Sequence, residues 1–597
     1  MRMKGKRTWS LIGLLMLGCM LPAFTVPLGA VYDRDSRLYR SLENLALETH
    51  VLMPISTTPV TGHQLYSFFQ NIPADNIPSS AKALYDEVSA LFSDDSGYTR
   101  LSSSLISGGM SVTPEIYLHT NPATDLTEMD WTYRYKDRSP ILSFRGEAII
   151  ADTFHGVFDF DFKKTRGYAD GTGNDGTGVQ EKFFTGLLTH NIAFTSQEQD
   201  WDSHAPFSAF MSYSRPHFSI IFGRDTVAWG RGNTGDMIIG GEADFHDFLQ
   251  YTVYDKALAY TFNAMVFDDI TGSISDPLSF YDEGMRVFTA KRIEASITPR
   301  IRVALSSIAL YYASALDLRM FNPLMWEHNF INKSNDYTDP NGSGGIPGGS
   351  YNEVNNAMAL DVEVAVAPGW GAYGQFFVDQ IQLGGEASGV FDPNAFGFLA
   401  GTQFSRPYKE GRLTGFAELA YTTPGLYLKE DPGTKPTQPP SANPAAYYAW
   451  HRYKMLSNLP LVRANDSRDA AGVGFIGYHY GPDTFVTAAS VAYDVQDAYA
   501  LQVDMEFSIH GDYGLKAHGR KENHLSTVTS STEMVWLHGT LEYRLAAGVS
   551  GTKTFSNWLE GFARLDGVAV WNQRNQTGNF FGDMQMSLGA TVSISRW

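Results

Sequence analysis

From about Ser111 to the C terminus, apolar and polar residues alternate one by one, which is the period of a strand with one oily and one wet side. Leu501, Val503, Met505, Phe507 and Ile509 interleave with Gln502, Asp504, Glu506, Ser508 and His510. Leu360, Val362, Val364 and Val366 alternate with Asp361 and Glu363, and Ile301, Val303 and Leu305 with Arg302 and Ala304. Phe158, Phe160 and Phe162 bracket Asp159 and Asp161, and Leu258, Tyr260, Phe262, Ala264 and Val266 share a face. Val535, Leu537, Gly539, Leu541, Tyr543 and Leu545 repeat the theme. The last run places Met584, Met586, Leu588, Ala590, Val592 and Ile594 on one side. Trp597 falls on the polar phase there, so a bulge or terminal twist is required.

Between Tyr32 and about Asp95 the period is helical. Leu38, Leu42 and Leu45 are spaced to share a helix face, and Thr61–Phe69 and Ser80–Phe92 follow, separated by proline-bearing turns. The pattern predicts a bundle of about three helices over residues 31–105, followed by a β domain over 106–597.

The first thirty residues are neither. Arg2, Lys4, Lys6 and Arg7 precede the apolar run Trp9–Phe24, and Leu28-Gly29-Ala30 offers small residues for cleavage, so 1–30 reads as a secretory signal peptide. Leu17-Gly18-Cys19 also resembles a degraded lipobox, although Leu17 is bulky and the residues after Cys19 stay oily. Cys19 is the single cysteine, so cleavage after Ala30 leaves a chain without thiol or disulfide chemistry. Losing the four leader charges takes the net charge from −19 to about −23, which argues against nucleic acid as a partner.

Beyond the leader no apolar run reaches the ~20 residues of a membrane-spanning helix. Strands of ~9–11 residues with one apolar face, a leader and a C-terminal aromatic residue instead fit a transmembrane barrel. The expected fold is all-β: a large antiparallel outer-membrane β-barrel of about 18 strands, within a range of 16 to 20, plus the small periplasmic helical bundle. A soluble β-sandwich or propeller is the competing fold. Three connections are too long for periplasmic turns and are expected outside the cell: Arg166–Gln180, 333–352 and 423–470.

Within this pattern stands a series of short motifs. Phe222-Gly-Arg-Asp-Thr-Val-Ala-Trp-Gly-Arg-Gly-Asn-Thr-Gly235 is followed by Met320-Phe-Asn-Pro-Leu-Met-Trp-Glu-His328 and Tyr373-Gly-Gln-Phe-Phe-Val-Asp379. In order and spacing the series resembles the Wzi family of capsule-assembly outer-membrane proteins, as does the helical piece before the first strand. The resemblance implies an 18-stranded barrel over a periplasmic bundle. It also implies a lectin-like, non-enzymatic role in which exported surface polysaccharide is held at the cell. Expected partners are outer-membrane lipid, that polysaccharide and polysaccharide-export machinery. No cofactor or metal is expected.

Candidate polysaccharide contacts are Arg224, Trp229 and Arg231, and, on the longest loop, Tyr447, Tyr448, Trp450 and Tyr453 beside His451. Trp and Tyr stack on pyranose faces, and Arg pairs with uronate carboxylates. The bland reading of Arg224–Arg231 is a lumen salt-bridge network, with Arg224 pairing Asp379 or Asp225. The loop aromatics could equally pack the loop on itself. Gly230, Gly232, Asn322, Pro323 and Asp379 belong to the family-like motifs or the lumen. Gly230-Arg-Gly-Asn-Thr-Gly235 has dinucleotide-fingerprint spacing but lacks the βαβ setting that would give it meaning. No catalytic motif stands out. A porin-like or substrate-specific channel is the alternative function, and an outer-membrane hydrolase a weaker third.

Overall fold

The structure is a computed structural model that describes residues 27–72, 77–122, 130–164, 168–170, 179–181, 187–192, 201–202, 207–268 (save 242 and 244), 285–313, 321, 322, 324, 354–381, 394–427, 455–462, 469–513 and 535–595. The leader up to residue 26 and Trp597 lie outside these residues.

The strands close into one antiparallel barrel. Strand β1 runs Ser104–Val112 and continues as Glu115–His119. Then come β2 Leu142–Ile150, β3 Phe154–Lys164, β4 Ala209–Arg215, β5 Phe218–Asp225 and β6 His246–Tyr254. They are followed by β7 Leu258–Asp268, β8 Met285–Thr298, β9 Ile301–Ala313, β10 Val354–Ala367, β11 Trp370–Gln380 and β12 Ala395–Tyr408. The circuit ends with β13 Gly411–Thr422, β14 Thr484–Val495, β15 Tyr499–His510, β16 Glu542–Ser556, β17 Leu559–Trp571 and β18 Phe580–Ser595. Each pairs with the next, and β18 returns to β1 through Val592↔Val112 and Leu588↔Ile116. This makes 18 strands with no free edge, the condition for a sheet to cross lipid.

Alternation sorts the two faces as the sequence predicts. Leu501, Val503 and Met505 are each more than half exposed on the outside. Aromatics cluster at both rims, with Trp571 against Phe580 at one end and Tyr493 against Tyr408 and Tyr499 at the other. A closed barrel with an apolar outer band between aromatic rims belongs in the bacterial outer membrane. One expected strand starts late: Val535–Leu541 is irregular and β16 begins at Glu542. The His538 N–H is taken by the Asp483 carboxylate (2.9 Å) and its carbonyl by Asp512 N–H (3.0 Å), so that backbone has no ladder to join.

Among the described residues, three α-helices precede the barrel: α1 Arg37–Glu48, α2 Gly62–Phe69 and α3 Lys82–Ser93. Ser36 caps α1, and the Gln64 side chain reaches back to the Thr61 N–H at 2.8 Å to start α2. Leu38, Leu42, Leu45, Leu65, Leu84 and Val88 form the bundle core. The bundle docks on the tight turns: Leu52 N–H donates to Pro299 O (2.9 Å), Gly369 N–H to Leu47 O (2.7 Å), and His50 Nε2 meets Ala365 O (3.0 Å). The tight turns mark the periplasmic end, so the long connections open outward.

Candidate functional site

The connection from β5 to β6, residues 226–245, leaves the outer end of the barrel and folds down into the bore. Ala228–Trp229 pairs with Ile239–Gly240 on one side and with Thr57–Thr58 on the other. Residues 57–58 belong to the periplasmic domain, between α1 and α2. An outward connection and a periplasmic segment thus share one three-stranded sheet inside the lumen.

Charged groups weld this plug to the wall. Arg231 donates from Nη1 to Glu43 (2.6 Å) and Tyr39 Oη (2.8 Å) of α1, from Nη2 to Ile55 O (3.2 Å), and from Nε to Glu363 of β10 (3.4 Å). Arg34 donates to Gly230 O, to Gly232 O (2.9 Å) and to the Asp236 carboxylate (3.0 Å). Asp236 also accepts from Gly232 N–H (2.7 Å) and from Gln375 of β11 (3.3 Å). Burial pushes the Asp236 carboxyl up, and Arg34 beside it opposes that shift. Glu418 of β13 accepts from the Asn233 and Thr234 N–H groups (2.8 Å each) and from Tyr373 Oη (2.7 Å).

Beneath the plug the wall carries its own network. Arg292 pairs with Asp361 (2.8 Å) and Glu294 (3.3 Å), and Arg302 with Glu294 (3.0 Å) and Glu363. Ser56 donates from both N–H and Oγ to Glu294 (2.9 Å each). Ions this deep persist only when paired on all sides, and here every carboxylate meets an arginine or several N–H and O–H donors. A second segment packs on the inner wall beside β18: Thr132 bonds Gln585 from N–H (2.9 Å) and Oγ1 (3.0 Å), and the Arg138 guanidinium lies 4.1 Å from the Tyr117 ring centroid.

The motif residues separate accordingly. Trp229 is fully buried in the lumen sheet and Arg231 lies at the plug centre, so both hold the closure. Gly230 has φ +139°, and a Cβ there would collide with Gln375 and Asp236. Gly232 donates to Asp236 and passes against Gly235 O where no side chain fits. Asp379 accepts from Tyr427 N–H (2.9 Å), turning the start of the 423–470 connection inward. Arg224 departs from the expected pairing. It faces outward at the rim and forms a two-point pair with Asp247 (2.8 Å twice), not with Asp379 or Asp225, because β5 still alternates at that position. Asn322 is exposed and accepts from Leu324 N–H (3.1 Å). Pro323, Tyr447, Tyr448, Trp450, His451 and Tyr453 lie outside the described residues, as do residues 333–352. Sequence reading missed Arg34, Tyr39, Glu43, Asp236 and Glu418. The alternating charges Arg292/Glu294 and Asp361/Glu363 were the available signal for a filled lumen.

No family model and no curated protein matches the sequence. Among solved structures the chain is similar to Wzi of Escherichia coli, described as an outer-membrane protein involved in group 1 capsule assembly and a carbohydrate-binding β-barrel. The TM-score is 0.50 over 94% of this chain and 98% of that one, at 11% identity. The resemblance read from the motif series is therefore met at the level of fold. Looser matches are the outer-membrane channel DcaP of Acinetobacter baumannii (9% identity, 83% and 99% coverage, TM-score 0.33) and OprD of Pseudomonas aeruginosa (7%, 84% and 98%, 0.35).

Proposed function

We propose that this barrel is a non-enzymatic anchor that holds exported surface polysaccharide at the outer membrane. The observation that carries the reading is the filled bore. Arg231 joins the outward 226–245 connection to the periplasmic helix α1 and to the wall, and a lumen closed that way leaves the outward loops as the working surface. The shared fold with a barrel described as carbohydrate-binding supports the same choice. Binding would be multivalent and weak per contact, with Tyr447, Tyr448, Trp450 and Tyr453 stacking on successive sugars of a repeating polymer. Trp229 and Arg231 then act as positioning residues, and Arg224 is left at the rim. Lipid and polysaccharide are the proposed partners, with the export machinery that delivers the polymer as a further one. The test is binding of the detergent-purified protein to an array of bacterial surface glycans, before and after trimming residues 440–455. Binding lost on trimming supports the reading. Equal silence of both proteins on every glycan overturns it.

The second reading is a porin-like or substrate-specific channel. It is favoured by inward-facing Arg145, Gln502, Thr552 and Glu560, which remain exposed toward the periplasmic end. Above them residues 130–138 pack on the inner wall at β18 and β1.

A further inference from the structure

The outer face of the barrel changes at the periplasmic end of β11–β14. Register puts Phe404 beside Trp370, Arg406 beside Leu413, and Leu413 beside Tyr493. Tyr408 is the next outward residue of β12 and pairs with Gly411 across the tight turn. These positions share parity with Leu419, Val491 and Leu501, the exposed apolar residues above them, so they face the bilayer.

Two cations stand among these rings. The Arg406 guanidinium lies 5.4 Å from the Trp370 ring centroid, and the Lys409 ammonium 5.3 Å from that of Tyr408. The Tyr408 and Tyr493 centroids are 5.9 Å apart. Both cations are exposed. Among the described residues neither is paired with a carboxylate, and Glu410, next in the turn, forms no ion pair with them. Other arginines of the barrel are matched: Arg224 at the outer rim by Asp247, and Arg412, facing inward on this same hairpin, by Glu48.

A ring beneath a cation holds it in place without neutralising it. Aromatic residues at the edge of the apolar band mark the level of the lipid headgroups. Arg406 and Lys409 lie three residues apart, about 10 Å along the chain, and their long side chains can converge on one phosphate. A guanidinium takes a phosphate at two points and an ammonium adds a point charge. A zwitterionic headgroup brings its own cation to this place, whereas an acidic one brings only the missing charge. The tight turns put the site on the periplasmic side, away from lipid of the outer leaflet.

We propose that the periplasmic end of β11–β14 is a binding site for an acidic phospholipid of the periplasmic leaflet. Its phosphate lies between Arg406 and Lys409, its glycerol against Trp370, Tyr408 and Tyr493, and its acyl chains run up over Leu413 and Val491. The same turns carry α1, through Gly369 N–H to Leu47 O, Arg412 to Glu48, and Asp497 to Arg37 (3.2 Å). A bound headgroup therefore fixes to the bilayer the arc on which the periplasmic bundle rests. The site names the lipid among the proposed partners and is independent of the polysaccharide.

The test uses the full chain in phosphatidylcholine vesicles. A C19S background carries L413C, or I150C across the barrel on the same rim, labelled with a fluorescent maleimide. Brominated phosphatidylglycerol or brominated phosphatidylcholine is added as quencher at equal mole fraction, and heat modifiability shows that each variant is folded. At L413C the acidic lipid is expected to be favoured by about five-fold or more, at the strength usual for a basic side chain near anionic lipid. The preference should weaken with salt and vanish in R406Q/K409Q, and at I150C the two lipids should quench alike. L501C, opposite Tyr493, gives a second reporter should L413C fold poorly. Equal quenching by both lipids at L413C and L501C would make the rim a plain aromatic belt. A preference that survives R406Q/K409Q would place the charge elsewhere, and one as large at I150C would mean general attraction without a site. Each of these three results overturns the proposal, and none involves a glycan, so the polysaccharide reading stands or falls separately.

Discussion

Arg231 and Glu43 meet at 2.6 Å, although one is carried by a connection that starts outside the cell and the other by a periplasmic helix. The contact lies inside the bore, where the same guanidinium also reaches Tyr39, Ile55 and Glu363. It is the point at which both ends of the barrel are fastened to each other and to the wall.

Cutting that point should be costly and should open the bore. Arg231→Ala leaves Glu43 and Glu363 without their shared cation, a loss of about 3–5 kcal/mol for a buried pair deprived of one partner. The expected result is a lower melting temperature of the heat-modifiable band together with conductance steps that the parent protein lacks. Glu43→Gln keeps a hydrogen-bond acceptor and should show a milder form of both.

Gly230→Ala should act through the backbone. A φ of +139° and the collision of the new Cβ with Gln375 and Asp236 force residues 228–236 away from the wall. Strain of about 1–3 kcal/mol is expected from the backbone alone. Proteolysis of intact cells gives the readout: the 226–245 connection should become cleavable in the variant and stay protected in the parent.

The N-terminal strap offers a pH signature. Asp152, in the periplasmic turn between β2 and β3, accepts from Leu28 N–H (2.8 Å) and Gly29 N–H (3.3 Å), yet burial pushes its carboxyl up to about 6 from 3.8. A raised carboxyl binds its proton more tightly when folded, so its favourable contribution is full at low pH and is lost as pH rises through about 6. Melting temperature measured from pH 4 to 7 should fall more steeply for the parent than for Asp152→Asn, which keeps the acceptor oxygen and cannot ionise.

The same contacts bear on processing. Leu28 O accepts from His63 N–H (2.8 Å), Ala30 O accepts from Gly62 N–H (2.8 Å), and Ala30 is buried. A cut after Ala30, as the small residues suggest, would discard these bonds. N-terminal sequencing of the outer-membrane form is expected to begin at or before Leu28. A start at Val31 would mean the strap is removed in the mature protein.

The barrel was legible because its signal is local. Alternation at 501–510 and 584–594 needs only neighbouring residues and lipid outside, and both runs form strands as read. The three helices were legible for the same reason. The plug was not, because its partners are far apart: Arg231 and Glu43 are separated by 188 residues, and Arg34 and Asp236 by 202. Arg224 and Arg231 look equivalent in sequence, yet the strand ends at Asp225. One arginine keeps the outward phase of β5 while the other turns into the bore. Glycines at 230 and 232 hinted at a tight passage without saying against what.

Trimming residues 440–455 separates loop from scaffold. The one described residue of that stretch, Met455, is buried in the lumen core and donates its N–H to Tyr427 O (2.9 Å), so with Met455 kept in place heat modifiability should be unchanged while polysaccharide retention on cells falls. Unchanged retention would remove Tyr447, Tyr448, Trp450 and Tyr453 from the site.

The most direct measurement is single-channel conductance of the unmodified protein in planar bilayers, on a sample proven folded by heat modifiability. A bore welded by Arg231, Arg34 and Glu418 should give little or no steady current, with steps appearing when Arg231 is removed. A steady, open conductance from the unmodified protein would contradict the closed plug and, with it, the anchoring role proposed for this barrel.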